Sequence, residues 1–261
     1  MGLPGIWLNA LVVIISMMTL IWIASVIAKN VSIVDLFWGF GFVVAALFYF
    51  LSLETTGIRN YLILILVSVW GLRLSVYLTW RNYGKGEDFR YREFRRKYGA
   101  SRYWWISYFQ TFLFQGVLMW LISAPLLGAQ AGKPGSGLGF LDYAGIAVWL
   151  TGFIFEAGGD LQLAAFRSDP ANRGKVLDRG FWKYTRHPNY FGDSAVWWGY
   201  GLISISASSY LPALGSVLMT LLIIKVSGIS LLEKTLVSDK PLYADYVRRT
   251  SAFFPWFPKK S

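Results

Sequence analysis

Six ionisable side chains lie inside otherwise apolar runs: Asp35, Arg73, Glu156, Asp160, Asp193 and Lys225. A charge at the centre of a bilayer costs from about 2.5 to more than 10 kcal/mol, so such residues mark candidate functional positions. Glu156 and Asp160 are one helical turn apart and Arg167 follows two turns later, which places all three on one stripe of a helix. Gly152, Gly158 and Gly159 in the same segment let a helix or a ligand approach the backbone closely. For any one of these residues, a buried ion pair between helices is the structural alternative.

The stretch RSDPANRGKVLDRGFWKYTRHPNYFGD, Arg167 to Asp193, collects basic, aromatic and amide groups at a helix entrance. There the backbone N–H groups and the helix dipole favour an anion. Arg173, Lys175, Arg179, Lys183 and Arg186 can neutralise phosphates, His187 can donate to one, and Tyr184 and Tyr190 can stack on a ring. Pro188 suits the first turn of a helix, from which Asn189 and Asp193 project. With the second basic segment RNYGKGEDFRYREFRRKYG, Arg81 to Gly99, the pattern predicts a polyanionic cofactor at the cytoplasmic mouth of a helical bundle. The chain has no cysteine and one histidine, His187, which excludes a thiolate nucleophile or disulfide and leaves no metal site expected.

The elements that must carry these residues follow from composition. Of 261 residues, 55% are hydrophobic, 18% aromatic and only 15% charged, with a mean hydropathy of +0.46; a soluble domain has about 25% charged residues. A soluble enzyme is excluded, and a multi-pass membrane protein is expected. Leu3 to Ala28 is an uncharged run with no basic residue ahead of it, and it reads as a transmembrane helix rather than a cleaved leader. Roughly 20 apolar residues cross the hydrocarbon, and on that ruler seven spans are predicted: 4–28, 31–52, 58–80, 104–127, 140–166, 190–207 and 210–232. The segments lack the alternation of barrel strands, so an all-α bundle follows. No internal repeat is evident, a single domain over residues 1–261 is expected, and Gly128–Gly139 reads as a flexible outer loop.

Twenty-one of the 25 basic residues fall in connections on one face: Lys29, eight from Arg81 to Arg102, six from Arg167 to Arg186 and six from Lys234 to Lys260. Basic residues are retained in the cytoplasm, which puts the N-terminus outside and the C-terminus inside. The net charge of +11 is mostly this bias. It therefore predicts attraction to anionic lipid, not nucleic-acid binding, and nothing in the pattern demands an obligate protein partner.

Five segments carry a resemblance: SIVDLFWGFGF (Ser32 to Phe42), WGLRLSVYLTWRNYGKGEDFRY (Trp70 to Tyr91), GDLQLAAFR (Gly159 to Arg167), TRHPNYFGD (Thr185 to Asp193) and YADYVRRTSAFFPWFP (Tyr243 to Pro258). Together they resemble the bacterial branch of the steroid 5α-reductase family over nearly the whole chain from about residue 30, which implies an inner-membrane location. The Arg-His-Pro-Asn-Tyr motif alone is shared with S-adenosylmethionine-dependent isoprenylcysteine and phospholipid methyltransferases, and a transporter or receptor is a third class. The combination of motifs favours the reductase.

The resemblance implies NADPH-dependent reduction of the carbon–carbon double bond of an α,β-unsaturated ketone, such as a 3-oxo-Δ4 steroid, with the apolar substrate entering from the bilayer. It implies cofactor binding by Asp160, Arg167, Asn189, Asp193 and Tyr246, with Glu156, Tyr184, Arg186, His187 and Arg249 beside them; Arg173 joins the set from the basic loop. At the carbonyl end the matching positions are Asp35 and Trp70, with Arg73 and Tyr77 as substitute donors. A protonated Asp35 would donate to the oxygen where enolate charge develops. Its structural alternative is an ion pair with Arg73.

Overall fold

The computed structural model describes residues 2–54, 56–133, 135–227 and 241–259. Every regular element among them is helical. The protein is a multi-pass membrane protein: Leu3–Ile27, Ile58–Asn82, Ala100–Gln130 and Phe140–Ser168 are long and apolar enough to cross a bilayer, and Trp38–Ser52 and Leu214–Lys225 are shorter apolar helices. The chain forms two compact units. One holds Met1–Leu138 and Ala207–Pro212, the other Gly139–Ser206 and Ala213–Ser261.

In the first unit, α1 (Leu3–Ile27) opens with Pro4 in its first turn, where a missing N–H costs nothing. It buries Ile6, Ala10, Ile14, Met18, Ile21 and Ser25, a spacing of three and four that is one helical face. Large apolar side chains such as Leu8, Val12 and Leu20 remain on the outside. The predicted second span is divided. A four-residue turn, α2 (Ile33–Leu36), ends at Phe37 before α3 (Trp38–Ser52) begins, so Asp35 precedes the long helix instead of lying within it.

Helix α4 (Ile58–Asn82) runs against α3 with almost no space between backbones. A Cβ on Gly39 would lie 2.4 Å from the Gly71 carbonyl oxygen, and one on Gly71 2.5 Å from that of Gly39. After the amphipathic α5 (Phe89–Tyr98) comes one apolar stretch made of α6 (Ala100–Ser107), a π-helical segment Tyr108–Leu113, α7 (Phe114–Ile122) and α8 (Ala124–Gln130). Helix α8 consumes the first three residues of the predicted outer loop, and Arg59 fastens the remainder: its Nη1 donates to Ser136 Oγ (2.7 Å) and its Nη2 to Gly137 O (2.8 Å).

In the second unit, α9 (Phe140–Ser168) starts where Gly139 N donates to Asp142 Oδ2 at 2.7 Å. It packs along α10 (Pro188–Ala207) through glycines seven residues apart. Gly145 meets Gly199, Gly152 meets Gly192, and Gly159 meets Pro188 and Asn189. Helix α11 (Leu214–Leu221) continues into a π-helical segment, Leu222–Ser227. Residues 228–232 of the predicted seventh span, like Lys234, Lys240 and Lys260, lie outside the described residues. The last helix is α12 (Pro241–Arg249).

The α3–α4 contact gives a direct test. Gly39→Val should lower the melting temperature, because overpacking a tight interface costs about 1–3 kcal/mol. Gly137→Ala, where a Cβ meets nothing within 4 Å, should leave it unchanged. Equal melting temperatures for the two variants would refute the close contact.

Candidate active site

Two polar clusters emerge, one in each unit. In the second unit, the α9 stripe delivers Glu156 and Asp160 into buried positions, while Arg167, two turns further on, is exposed with Arg173 beyond it. The segment leading to α10 is anchored on α9. Gly180 adopts a φ of +62°, which brings Phe181 N to Gln162 Oε1 at 2.9 Å, and Trp182 Nε1 donates to Gly159 O at 3.1 Å. Thr185, Arg186 and His187 are then buried before α10 begins, and Asn189 Nδ2 donates to Asp160 Oδ1 at 3.2 Å. Gly192 sits against the backbone of Glu156, which brings Asp193 into the same neighbourhood. The His187 ring stacks on Tyr190 at 5.6 Å.

Other predicted cofactor residues hold the C-terminal segment. Arg186 Nη1 donates to Val247 O (3.0 Å) and Thr250 O, and Arg186 N to Ser251 O (2.9 Å). Thr185 Oγ1 reaches Phe253 O (2.9 Å), and Trp256 N donates to Tyr184 O (2.9 Å). Tyr246 OH donates to Trp182 O; burial pushes this hydroxyl well above its ordinary pKa, so it stays a donor. Tyr184 is half-buried against the edge of Phe257. Arg249 bonds Asp245 at 2.8 Å and faces Asp178 at 3.7 Å. Arg167, Arg173, Lys175, Arg179 and Lys183 are exposed and carry the positive charge of this segment outward.

In the first unit, Asp35 is held by α5. Tyr91 OH donates to Asp35 Oδ1 at 2.7 Å and Arg90 Nη2 to Oδ2 at 2.8 Å. Its ionic partner is therefore Arg90, not Arg73, because the α2 turn directs the carboxylate toward α5. Arg90 Nε also reaches Asp88 Oδ1 at 3.0 Å. Burial and the Asp35 carboxylate together push the Tyr91 hydroxyl far above its ordinary pKa, which keeps the proton on the donor.

The other three candidates sit on α4, which packs on α2. Trp70 is fully buried, with its ring 5.9 Å from that of Phe42. Arg73 and Tyr77 are half-buried, Tyr77 lying beneath the Arg81 guanidinium at 5.7 Å.

A family model described as "Protein of unknown function (DUF1295)" matches residues 21–250. The chain belongs to the DUF1295 family. It is 25% identical over 259 aligned residues to an uncharacterised protein of Schizosaccharomyces pombe, covering 90% of this chain and 75% of the yeast protein. It is also 38% identical over 79 residues to the Delta(14)-sterol reductase of Ascobolus immersus, a match covering 25% of this chain and 18% of that reductase. No solved structure matches.

For this DUF1295 protein, sequence reasoning passed over Glu87, Arg90, Tyr91 and Arg95. The Glu-Asp-x-Arg-Tyr run was the available signal. Glu87 accepts from Arg95 Nε at 2.9 Å and Nη2 at 2.8 Å, a two-pronged pair, and from Val31 N at 2.9 Å. Burial alone would push the Glu87 carboxyl up, but these donors outweigh it and hold its pKa below the ordinary range. Asp88 is depressed in the same way: burial raises it, and the bonds from the Arg90 side chain and backbone outweigh that.

Two outcomes follow. A carboxylate with a depressed folded-state pKa stabilises fully above its unfolded value and loses that stabilisation as pH falls through the folded value. Glu87→Gln should thus lower the melting temperature at pH 7, with the gap to wild type closing below about pH 4; a gap independent of pH would count against the pair. Arg186→Ala should lower the melting temperature without any ligand, since buried carbonyls left unpaired cost about 1–3 kcal/mol each. An unchanged melting temperature with weakened NADPH binding would make Arg186 a cofactor ligand instead.

Proposed function

We propose that this protein is a membrane-embedded, NADPH-dependent reductase that saturates the carbon–carbon double bond of an apolar α,β-unsaturated ketone, a 3-oxo-Δ4 steroid or a similar enone. The observation that carries the reading is the buried Glu156 and Asp160 on α9, with Asn189 at the start of α10 donating to Asp160 and the exposed Arg167 two turns further along α9. The motif resemblance to the steroid 5α-reductases and the partial similarity to a Delta(14)-sterol reductase support it. So does the bias of basic residues, read as seven crossings with the N-terminus outside and the cofactor entering from the cytoplasm.

The donor set suits a dinucleotide phosphate. Carboxylates and the Asn189 amide are acceptors and donors for ribose hydroxyls and a carboxamide, and Arg167 and Arg173 are cations for phosphates. NADPH held by these residues would supply the hydride for the β-carbon of the enone, with a proton from solvent or a side chain completing the α-carbon. The protein's task is to orient both ligands, exclude water and place a hydrogen-bond donor at the carbonyl oxygen, where it is worth more at low dielectric.

We assign that donor to the region of Asp35, Trp70, Arg73 and Tyr77. Asp35 accepts from Arg90 and Tyr91 in the described arrangement, so its own donation to an enolate oxygen requires proton uptake and release by Arg90.

NADPH at about 100 times its Kd should stabilise the purified protein by about 2.7 kcal/mol, NADH less and S-adenosylmethionine not at all. Asp35→Leu should keep the NADPH-induced shift in melting temperature and lose about 10²–10³ in kcat for enone reduction, with Asp35→Asn retaining part of it. Stabilisation by S-adenosylmethionine alone would replace the reductase reading with a methyltransferase. A wild-type reduction rate in Asp35→Leu would remove Asp35 from the carbonyl end.

A further inference from the structure

The loop between α4 and α5 lines a half-open cavity of about 390 Å³ in the first unit, walled by the start of α2, the end of α4 and residues 82–92. That volume falls in the range of small-molecule sites, about 300–1,000 Å³. The Glu87 and Asp88 carboxylates in its wall are engaged: Glu87 by Arg95 and Val31 N, Asp88 by Arg90, with Asp88 N also donating to Ser32 Oγ at 2.6 Å. Around the cavity, five cations (Arg81, Lys85, Arg90, Arg92, Arg95) stand against three carboxylates (Asp35, Glu87, Asp88). The surplus is positive, and Lys85 and Arg92 carry it into the lining.

The amides in the wall have the same polarity. Asn30 Oδ1 is taken by Ser32 N at 3.0 Å and Asn82 Oδ1 by Arg81 Nε at 3.4 Å. Each asparagine keeps its N–H₂ group as a donor. A cavity offering two cations and two amide donors selects an anion with several acceptor oxygens, and a phosphate fits that description.

The surroundings indicate where the phosphate comes from. Tyr83 and Phe89 of the lining are exposed, as is Trp80, which follows the lining residue Thr79 in α4. Trp and Tyr in that position belong to the headgroup level of a bilayer, and α4 ends there as an apolar helix. We propose that this cavity binds the headgroup phosphate of an anionic phospholipid, held by Lys85, Arg92, Asn30 and Asn82.

The test uses the purified full-length chain in neutral detergent, with tryptophan fluorescence reporting the melting temperature as lipid is titrated in. Phosphatidylglycerol should raise it and phosphatidylcholine should not. Lys85→Gln/Arg92→Gln should weaken the phosphatidylglycerol effect roughly tenfold or more, since each basic residue near an anionic surface contributes about 1 kcal/mol. Lys97→Gln/Arg102→Gln removes the same charge from exposed positions outside the cavity and should leave the effect intact. Lys85→Arg/Arg92→Lys should preserve it too, which guards against a misfolded first variant.

Inorganic phosphate and NADPH serve as competing sources. Protection by millimolar inorganic phosphate that depends on Lys85 and Arg92 would keep the phosphate site and assign it to a soluble ligand. Equal losses in the cavity and control variants would overturn the proposal in favour of diffuse attraction. An NADPH effect abolished by the cavity variant would overturn it by giving the cavity to the cofactor.

Discussion

The second unit depends on the contact of α9 with α10 at glycines. Hydrocarbon tails are as apolar as leucine, so helices in lipid gain little from hiding apolar surface and must instead fit closely. Gly145, Gly152 and Gly159 provide that fit every two turns, and Gly192 and Gly199 answer from α10. At this separation the backbone at Gly192 touches Glu156, and Asn189 reaches Asp160. One added methyl group at Gly152 would meet the Gly192 carbonyl oxygen at 2.6 Å, displacing the helix start that the acid–amide pair requires.

Periodicity and composition were enough to indicate a multi-pass, all-helical protein, because lipid leaves the backbone few alternatives. The carboxylate stripe on α9 was legible for the same reason: spacing on a regular helix determines the face. The break at Phe37 was not legible. Nothing in VDLFWG forbids a continuous helix, and the bonds that hold the segment ahead of it are remote: Glu87 Oε1 accepts from Val31 N and Asp88 N donates to Ser32 Oγ, each across 56 residues of sequence. Arg186 illustrates a second limit. Its charge and its motif fit a phosphate ligand equally well as a carbonyl anchor, and only the fold of residues 247–251 brings the carbonyls to it.

The arginines divide by the partners available to them. Arg59 and Arg186 are buried and bond backbone carbonyls and a hydroxyl, neutral acceptors that hold a loop or a helix end in place. Arg90 and Arg95 are committed to carboxylates that tie α5 to the start of α2. Arg92, Arg167 and Arg173 remain exposed. A planar guanidinium can serve all three uses, which is why counting basic residues overstates the number offered to a ligand.

The mutual dependence of Arg186 and the C-terminal segment imposes an order on synthesis. The carbonyls of Val247 and Thr250 are made about sixty residues after the guanidinium that needs them, roughly 3–12 seconds later at about 5–20 residues per second. During that interval the base of α10 carries a cation without its eventual acceptors, and a charge of that kind stays with water or lipid headgroups in preference to hydrocarbon. The entrance of α10 therefore gains these carbonyl partners only after the chain has been translated as far as Thr250.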